Sequence, residues 1–345
     1  MGDAAITGME IVPWLAYAWA GLLAIAVYIY VVLDGFDLGL GILYPFFPEK
    51  NDRDLLMNSV APVWDGNETW LVLGGGGLFA AFPMAYGILM PALYVPIIVM
   101  LLALTFRGVA FEYRWRTKRW LKYWDAAFIG GSILAAFSQG IALGALLQGV
   151  AVEGRAYAGG WWDWLTPFSL LTGVAVVAGY ALLGTTWLIM KTDGDVQTRA
   201  RKLGLWFALA TLGFIGAVSL ATPFLDINYY SRWFDWPGLF VTIPMPIVIG
   251  FIALFLLSAL RKQKHEYRPF ILSLILFALC FVGLGISMFP YIIPPHVTIL
   301  DAATPFRSQI FMFVGACVLI PIILGYTAFA YWVFRGKIDP DEGYH

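Results

Sequence analysis

The sequence predicts an all-α integral membrane protein of about nine transmembrane helices, with the N-terminus outside and the C-terminus cytoplasmic. Three observations predict it. Of 345 residues, 61% are hydrophobic and only 12% are charged, about half the charge of a soluble domain. Apolar runs long enough to cross about 30 Å of hydrocarbon recur along the chain. The basic residues between those runs fall almost entirely on one side.

The expected spans are 13–33, 58–82, 84–106, 125–148, 165–189, 203–222, 239–260, 269–290 and 309–334. Backbone polar groups in lipid need internal partners, so each span is read as a helix. The link near Phe82 to Gly87 is short, which predicts a tight hairpin between the second and third spans. Pro91 and Pro96 predict kinks in the third. The first run lacks the short apolar core and cleavage site of a removable signal peptide, so it reads as a true span. No internal repeat or low-complexity linker divides the chain, and residues 1–345 read as one domain.

Orientation follows from charge. The segments after odd-numbered spans hold eighteen Lys and Arg residues, among them Arg107, Arg114, Arg116, Lys118, Arg119 and Lys122. The opposite segments hold Arg155, Arg232 and Arg307. The richer side is cytoplasmic by the positive-inside rule. Trp161, Trp162 and Trp164, and Trp233 with Trp236, stand beside spans, where indole favours the headgroup layer.

Composition also excludes roles. A net charge of −1 gives no global field to attract nucleic acid. Cys280 and Cys317 lie inside apolar runs and read as small buried hydrophobes, not as a disulfide or metal pair. Gly74 to Gly77 lack the Lys-Ser or Lys-Thr of a phosphate loop and read as helix-packing glycines.

Two segments break the apolar rule: Asp34-Gly-Phe-Asp37-Leu-Gly-Leu-Gly41, and Asn58-Ser-Val-Ala-Pro-Val-Trp64-Asp65-Gly-Asn67-Glu68-Thr-Trp70. Asp65 and Glu68 are three apart and share a helix face. In a helix starting near Leu55, Asp65 would lie ~15 Å along it, near mid-membrane. A carboxylate there costs on the order of 2.5–3.5 kcal/mol and commonly marks an ion or proton path. Asp34 and Asp37, also three apart, would stand nearer the inner surface. A proton ladder, structural pairing with neighbouring helices, and a hard-cation site all remain open at this point. Transition metals are disfavoured without nearby imidazole. The three histidines, His265, His296 and His345, all fall outside the expected spans, so a membrane-buried haem in this chain has no imidazole ligand. The same carboxylates would also suit a proton-coupled transporter or channel subunit.

These two segments resemble subunit II of cytochrome bd ubiquinol oxidase and its cyanide-insensitive relatives. The likeness extends through Leu78-Phe-Ala-Ala-Phe-Pro83, Phe106-Arg107-Gly-Val-Ala-Phe-Glu112-Tyr-Arg114, Met288-Phe-Pro290 and Pro321-Ile-Ile-Leu-Gly-Tyr326. Residues 150–260 match only in hydropathy. The resemblance implies two four-helix bundles plus a peripheral helix, paired with a haem-bearing subunit I as a pseudosymmetric heterodimer. It implies haems b and d, or b in place of d, in that partner, with ubiquinol or menaquinol as substrate, and it is compatible with small accessory subunits. It implies that Asp65 belongs to a cytoplasmic proton path, with Asp34 and Asp37 at its entrance and Glu68 beside it. It places a structural quinone near Trp64. The membrane would be the prokaryotic inner membrane.

Overall fold

The computed structural model describes residues 11–262 and 264–338. The N-terminal residues before position 11, where a signal peptide would begin, and His345 lie outside the described residues.

The long helices are α1 (Pro13–Leu43), α3 (Trp64–Ala81), α5 (Tyr94–Tyr113), α6 (Leu121–Gln148), α7 (Pro167–Lys191), α8 (Gly194–Ala221), α11 (Pro244–Arg261), α12 (Tyr267–Met288) and α14 (Phe306–Val333). Short helices fill the links: α2 (Lys50–Asn58), α4 (Pro83–Ala92), α9 (Ile227–Phe234), α10 (Leu239–Thr242) and α13 (Ile299–Ala302). Two small antiparallel hairpins, β1 (Val152–Glu153) with β2 (Ala156–Tyr157) and β3 (Tyr291–Ile293) with β4 (Val297–Thr298), complete the chain. Among the described residues, eight helical segments are long and apolar enough to cross a membrane. The remaining long helix, α3, has 18 residues but carries Asp65 and Glu68 in its opening turns.

Three boundaries differ from the sequence-based expectation. α1 does not end near position 33 but runs through Asp34 and Asp37 to Leu43. Small residues make this possible, because a Cβ on Gly39 would lie 2.0 Å from the Tyr180 carbonyl oxygen of α7. The expected span 58–82 is divided. α2 ends at Asn58, residues 59–63 form turns, and α3 starts at Trp64. Pro62 disfavours helical backbone at the residue before it and offers no N–H, which ends α2's continuation there. The expected span 84–106 is likewise split at Leu93, between Pro91 and Pro96, into α4 and α5. The chain therefore reverses over the whole of α4 and not in a hairpin at Phe82–Gly87; Glu68 of α3 and Arg107 of α5 return to the same level.

α1 is the central helix, packed on α3, α6 and α7. Around its C-terminal half, Phe36 stacks on Trp187 with ring centroids 4.2 Å apart, and Phe270 and Tyr331 close on the pair edge-on. Around its N-terminal half a second core joins Trp19, Phe82, Ile88, Ile293 and Val297. The outer faces stay apolar and exposed, as in Phe251, Leu254, Phe255, Phe311 and Ile322. That pattern suits helices whose solvent is lipid. The end of α14 is strapped to two links. Lys191 donates to the Phe334 carbonyl, and Lys337 pairs with Asp193 and Glu266. The hydrogen bonds from Lys337 and Gln197 hold Glu266 below the usual carboxylate range.

Candidate functional site: a buried cation among carboxylates

The site is built where α1, α3 and α5 meet. α1 supplies Asp34 and Asp37, one helical turn apart, and both are fully buried. α3 supplies Asn67 and Glu68, and α5 supplies Arg107, whose side chain is buried. Arg107 Nη1 donates to Glu68 Oε1 at 2.8 Å and to Asp34 Oδ1 at 3.2 Å. Its Nη2 lies 4.0 Å from Asp37 Oδ2. Asn67 Nδ2 donates to the same Asp37 oxygen at 2.7 Å, and the Tyr331 hydroxyl of α14 donates to Asn67 Oδ1 at 2.9 Å. Polar capacity remains inside the cluster: Asp34 Oδ2, Asp37 Oδ1, Arg107 Nε and Arg107 Nη2 are buried without a hydrogen-bond partner. The guanidinium occupies the position a hard cation would take among these carboxylates, so its charge already serves as their counter-ion.

Asp65 stands apart from this core. It lies in the first turn of α3, its side chain exposed on this chain, and it forms no hydrogen bond among the described residues. The expected depth of ~15 Å assumed a helix starting near Leu55; with the helix starting at Trp64, Asp65 is near the helix end instead. The order of the four acids along their helices is the reverse of the expected one. Asp34, nine residues before the end of α1, is deepest, Asp37 and Glu68 follow, and Asp65 is outermost. Glu68 bridges them: its side chain keeps 27% exposure while its carboxylate meets buried Arg107. Trp64 stacks on Phe111 at 5.0 Å. A groove of about 750 Å³ between α1 and α12, bordered by Ala24, Tyr28, Phe281 and Ile286, does not include Trp64 in its lining.

Sequence reading missed Arg107, which it counted only among the basic residues of the cytoplasmic side. The available signal was its position inside an apolar stretch, Ala103 to Phe111, where a charge needs a partner. Arg114 is misread in the same way. It is buried, donating to Asp125 at 2.7 Å and Asp54 at 2.6 Å, with Arg53 on the other Asp125 oxygen. This second cluster pins α2 against the α5–α6 link.

The comparisons with known proteins fit this geometry. The family model for cytochrome bd terminal oxidase subunit II matches residues 15–334. Cytochrome bd-I ubiquinol oxidase subunit 2 of Escherichia coli K12 is 32% identical, with 95% of this chain and 96% of that protein covered. Cytochrome bd ubiquinol oxidase subunit 2 of Bacillus subtilis is 31% identical over 94% of this chain and 97% of its own length. In the structure of bd oxidase from Geobacillus thermodenitrificans, one chain superposes with a TM-score of 0.76 at 19% identity, covering 93% of this chain and 98% of that one. A multi-pass membrane protein with this match over nearly its whole length belongs to the family of subunit II of the cytochrome bd terminal oxidases.

Proposed function

We infer that this chain is the haem-free second subunit of an oxidase that oxidises quinol at the outer face and reduces O₂ to water. Its own share is to carry protons from the cytoplasm through Asp65, Glu68, Asp34 and Asp37, and to hold subunit I by packing. The observation that carries this reading is the buried Arg107 among three carboxylates. A single guanidinium cannot neutralise three carboxylates in a medium of low dielectric, so the cluster has a place for a mobile proton as well as for its fixed cation. Protons taken from one side and consumed inside the membrane separate charge without pumping.

The described residues of this chain do not suit a haem pocket. His265 lies between α11 and α12 and His296 between β3 and β4, so neither stands in a crossing helix. Met100, buried in α5, would by itself be a weak substitute for an imidazole ligand. Haems b and d, or b in place of d, are therefore assigned to the partner. Nine spans are retained by counting α3 with the eight apolar ones. An odd number puts the N-terminus outside and the C-terminus inside, in agreement with the basic residues. Two four-helix bundles with α14 peripheral complete the reading, since Gln309 is the one residue of α14 that is fully buried among the described residues. A structural quinone near Trp64 would have to lie on the indole face not covered by Phe111.

The test is Glu68→Gln beside Asp65→Asn in the assembled oxidase. Quinol-driven O₂ reduction should fall by about a hundredfold or more in Glu68→Gln, the scale of losing one positioned proton-transfer group. Parental turnover with undiminished charge separation in both variants would overturn the proton path and leave family membership untouched.

A further inference from the structure

Away from the ion cluster, the groove of about 750 Å³ between α1 and α12 has the size of a small-molecule site. Its wall on α12 extends from Ala278 to Phe289. At 1.5 Å per residue that stretch is about 16 Å long, half of a hydrocarbon core of about 30 Å. Ala278 lies at the middle of α12 (Tyr267–Met288), so the groove occupies one leaflet, the one at Arg232's end of the helices. On the orientation proposed above, this is the outer leaflet. The groove is open beside Gly285, because a Cβ added there would meet nothing within 4 Å.

The lining is apolar except at a few points, and most of these are already engaged. The Tyr28 hydroxyl donates to the Leu274 carbonyl at 3.0 Å, and the Thr242 hydroxyl donates to the Trp233 carbonyl at 3.1 Å. Arg232 differs. Its Nη1 donates to the Ile286 and Ser287 carbonyls at 2.9 and 3.2 Å, which fixes the guanidinium against the end of α12. Its Nε and Nη2 donate to nothing among the described residues, and it forms no ion pair among them. A guanidinium with two free N–H edges is suited to a phosphate oxygen. Close by in the chain, Trp236 and Phe240 pack at 4.5 Å between centroids and are both exposed. Such rings favour the headgroup layer.

We propose that this groove binds one glycerophospholipid, with its phosphate on Arg232 and an acyl chain lying along Ala24, Phe281 and Gly285. Charge complementarity selects this occupant. A neutral quinone ring would leave the Arg232 cation without an anion, whereas a phosphodiester supplies one at the end of a trough one leaflet deep.

The experiment uses the purified, assembled oxidase, with haem content confirming assembly. Two variants fill the groove from opposite walls, Gly285→Leu and Ala24→Leu. Two others change its cation, Arg232→Gln and Arg232→Lys. Native mass spectrometry counts retained lipid, and the delipidated complexes are titrated with dioleoylphosphatidylglycerol and with dioleoylglycerol, which has the same chains and no phosphate. The parent should retain one more phospholipid than either filled-groove variant. It should bind the phosphatidylglycerol at least about tenfold more tightly than the diacylglycerol, the scale of one charge-assisted hydrogen bond. Arg232→Gln should lose that preference and Arg232→Lys should keep most of it. If both filled-groove variants bind phosphatidylglycerol as the parent does, or if the parent does not distinguish the two lipids, the proposal is overturned. Recovery of a quinone, and not a phospholipid, as the molecule displaced by Gly285→Leu overturns it as well.

Discussion

Arg107 is the residue on which the site turns. A fully buried guanidinium bound to Glu68 and Asp34, with Asp37 4.0 Å away, is expensive to desolvate and more expensive to remove. Arg107→Leu should cost about 3–5 kcal/mol, since it leaves three carboxylates without a cation. The thermal midpoint of the detergent-solubilised complex, or the failure of the complex to accumulate, reads this out. Adding Asp34→Asn and Glu68→Gln should restore much of the loss; no restoration would show that packing of the side chain, and not charge, is what Arg107 supplies. At this scale the sequence was half legible. Buried acids announced themselves as charges within apolar runs. Arg107 hid because a basic residue close to a helix end is read as a loop anchor.

At the scale of elements, hydropathy located the helices but not their breaks. A run of apolar residues looks the same whether or not the backbone is interrupted, so the divisions at 59–63 and at Leu93 were invisible to it. The prolines were the remaining clue: Pro62 and the Pro91–Pro96 pair stand at these breaks. The persistence of α1 through Asp34 and Asp37 has the opposite cause. Its C-terminal half lies so close to α7 that Gly39 and Gly184 meet backbone to backbone, with a Gly184 Cβ only 2.7 Å from the Gly39 carbonyl carbon. Gly39→Ala should therefore overpack this crossing and cost about 1–3 kcal/mol or more, because backbone and not a flexible side chain must yield. Gly21→Ala, on the same helix with nothing within 4 Å, should leave the thermal midpoint unchanged or slightly raised. Equal midpoints for the two variants would mean that the α1–α7 crossing has room for a methyl group at Gly39.

For the whole molecule, one asymmetry organises everything else. Arg155 in the β1–β2 turn, Arg232 in α9 and Arg307 at the start of α14 belong to links at one end of the helices. Arg232 there donates to the Ile286 and Ser287 carbonyls near the end of α12, a cation at a helix C-terminus. The links at the other end hold Arg53, Arg116, Lys118, Arg119, Lys122, Lys262 and Lys337. The electrostatic rule acts on such short links during insertion and sets which end stays inside. The acidic cluster opens toward that basic end, because Asp65 and Glu68 sit in the first turns of α3 and Asp37 and Asp34 in the last turns of α1. On the proposed proton path, orientation would decide which compartment supplies the protons. In a chain carrying Cys280→Ser and Cys317→Ser, a cysteine placed at Arg155 should react with a membrane-impermeant maleimide in intact cells. A cysteine placed at Lys118 should react only once the membrane is opened. The reverse pattern would point the carboxylates at the outer face, and protons for water would then enter from the side to which quinol oxidation releases them, with no net charge separated.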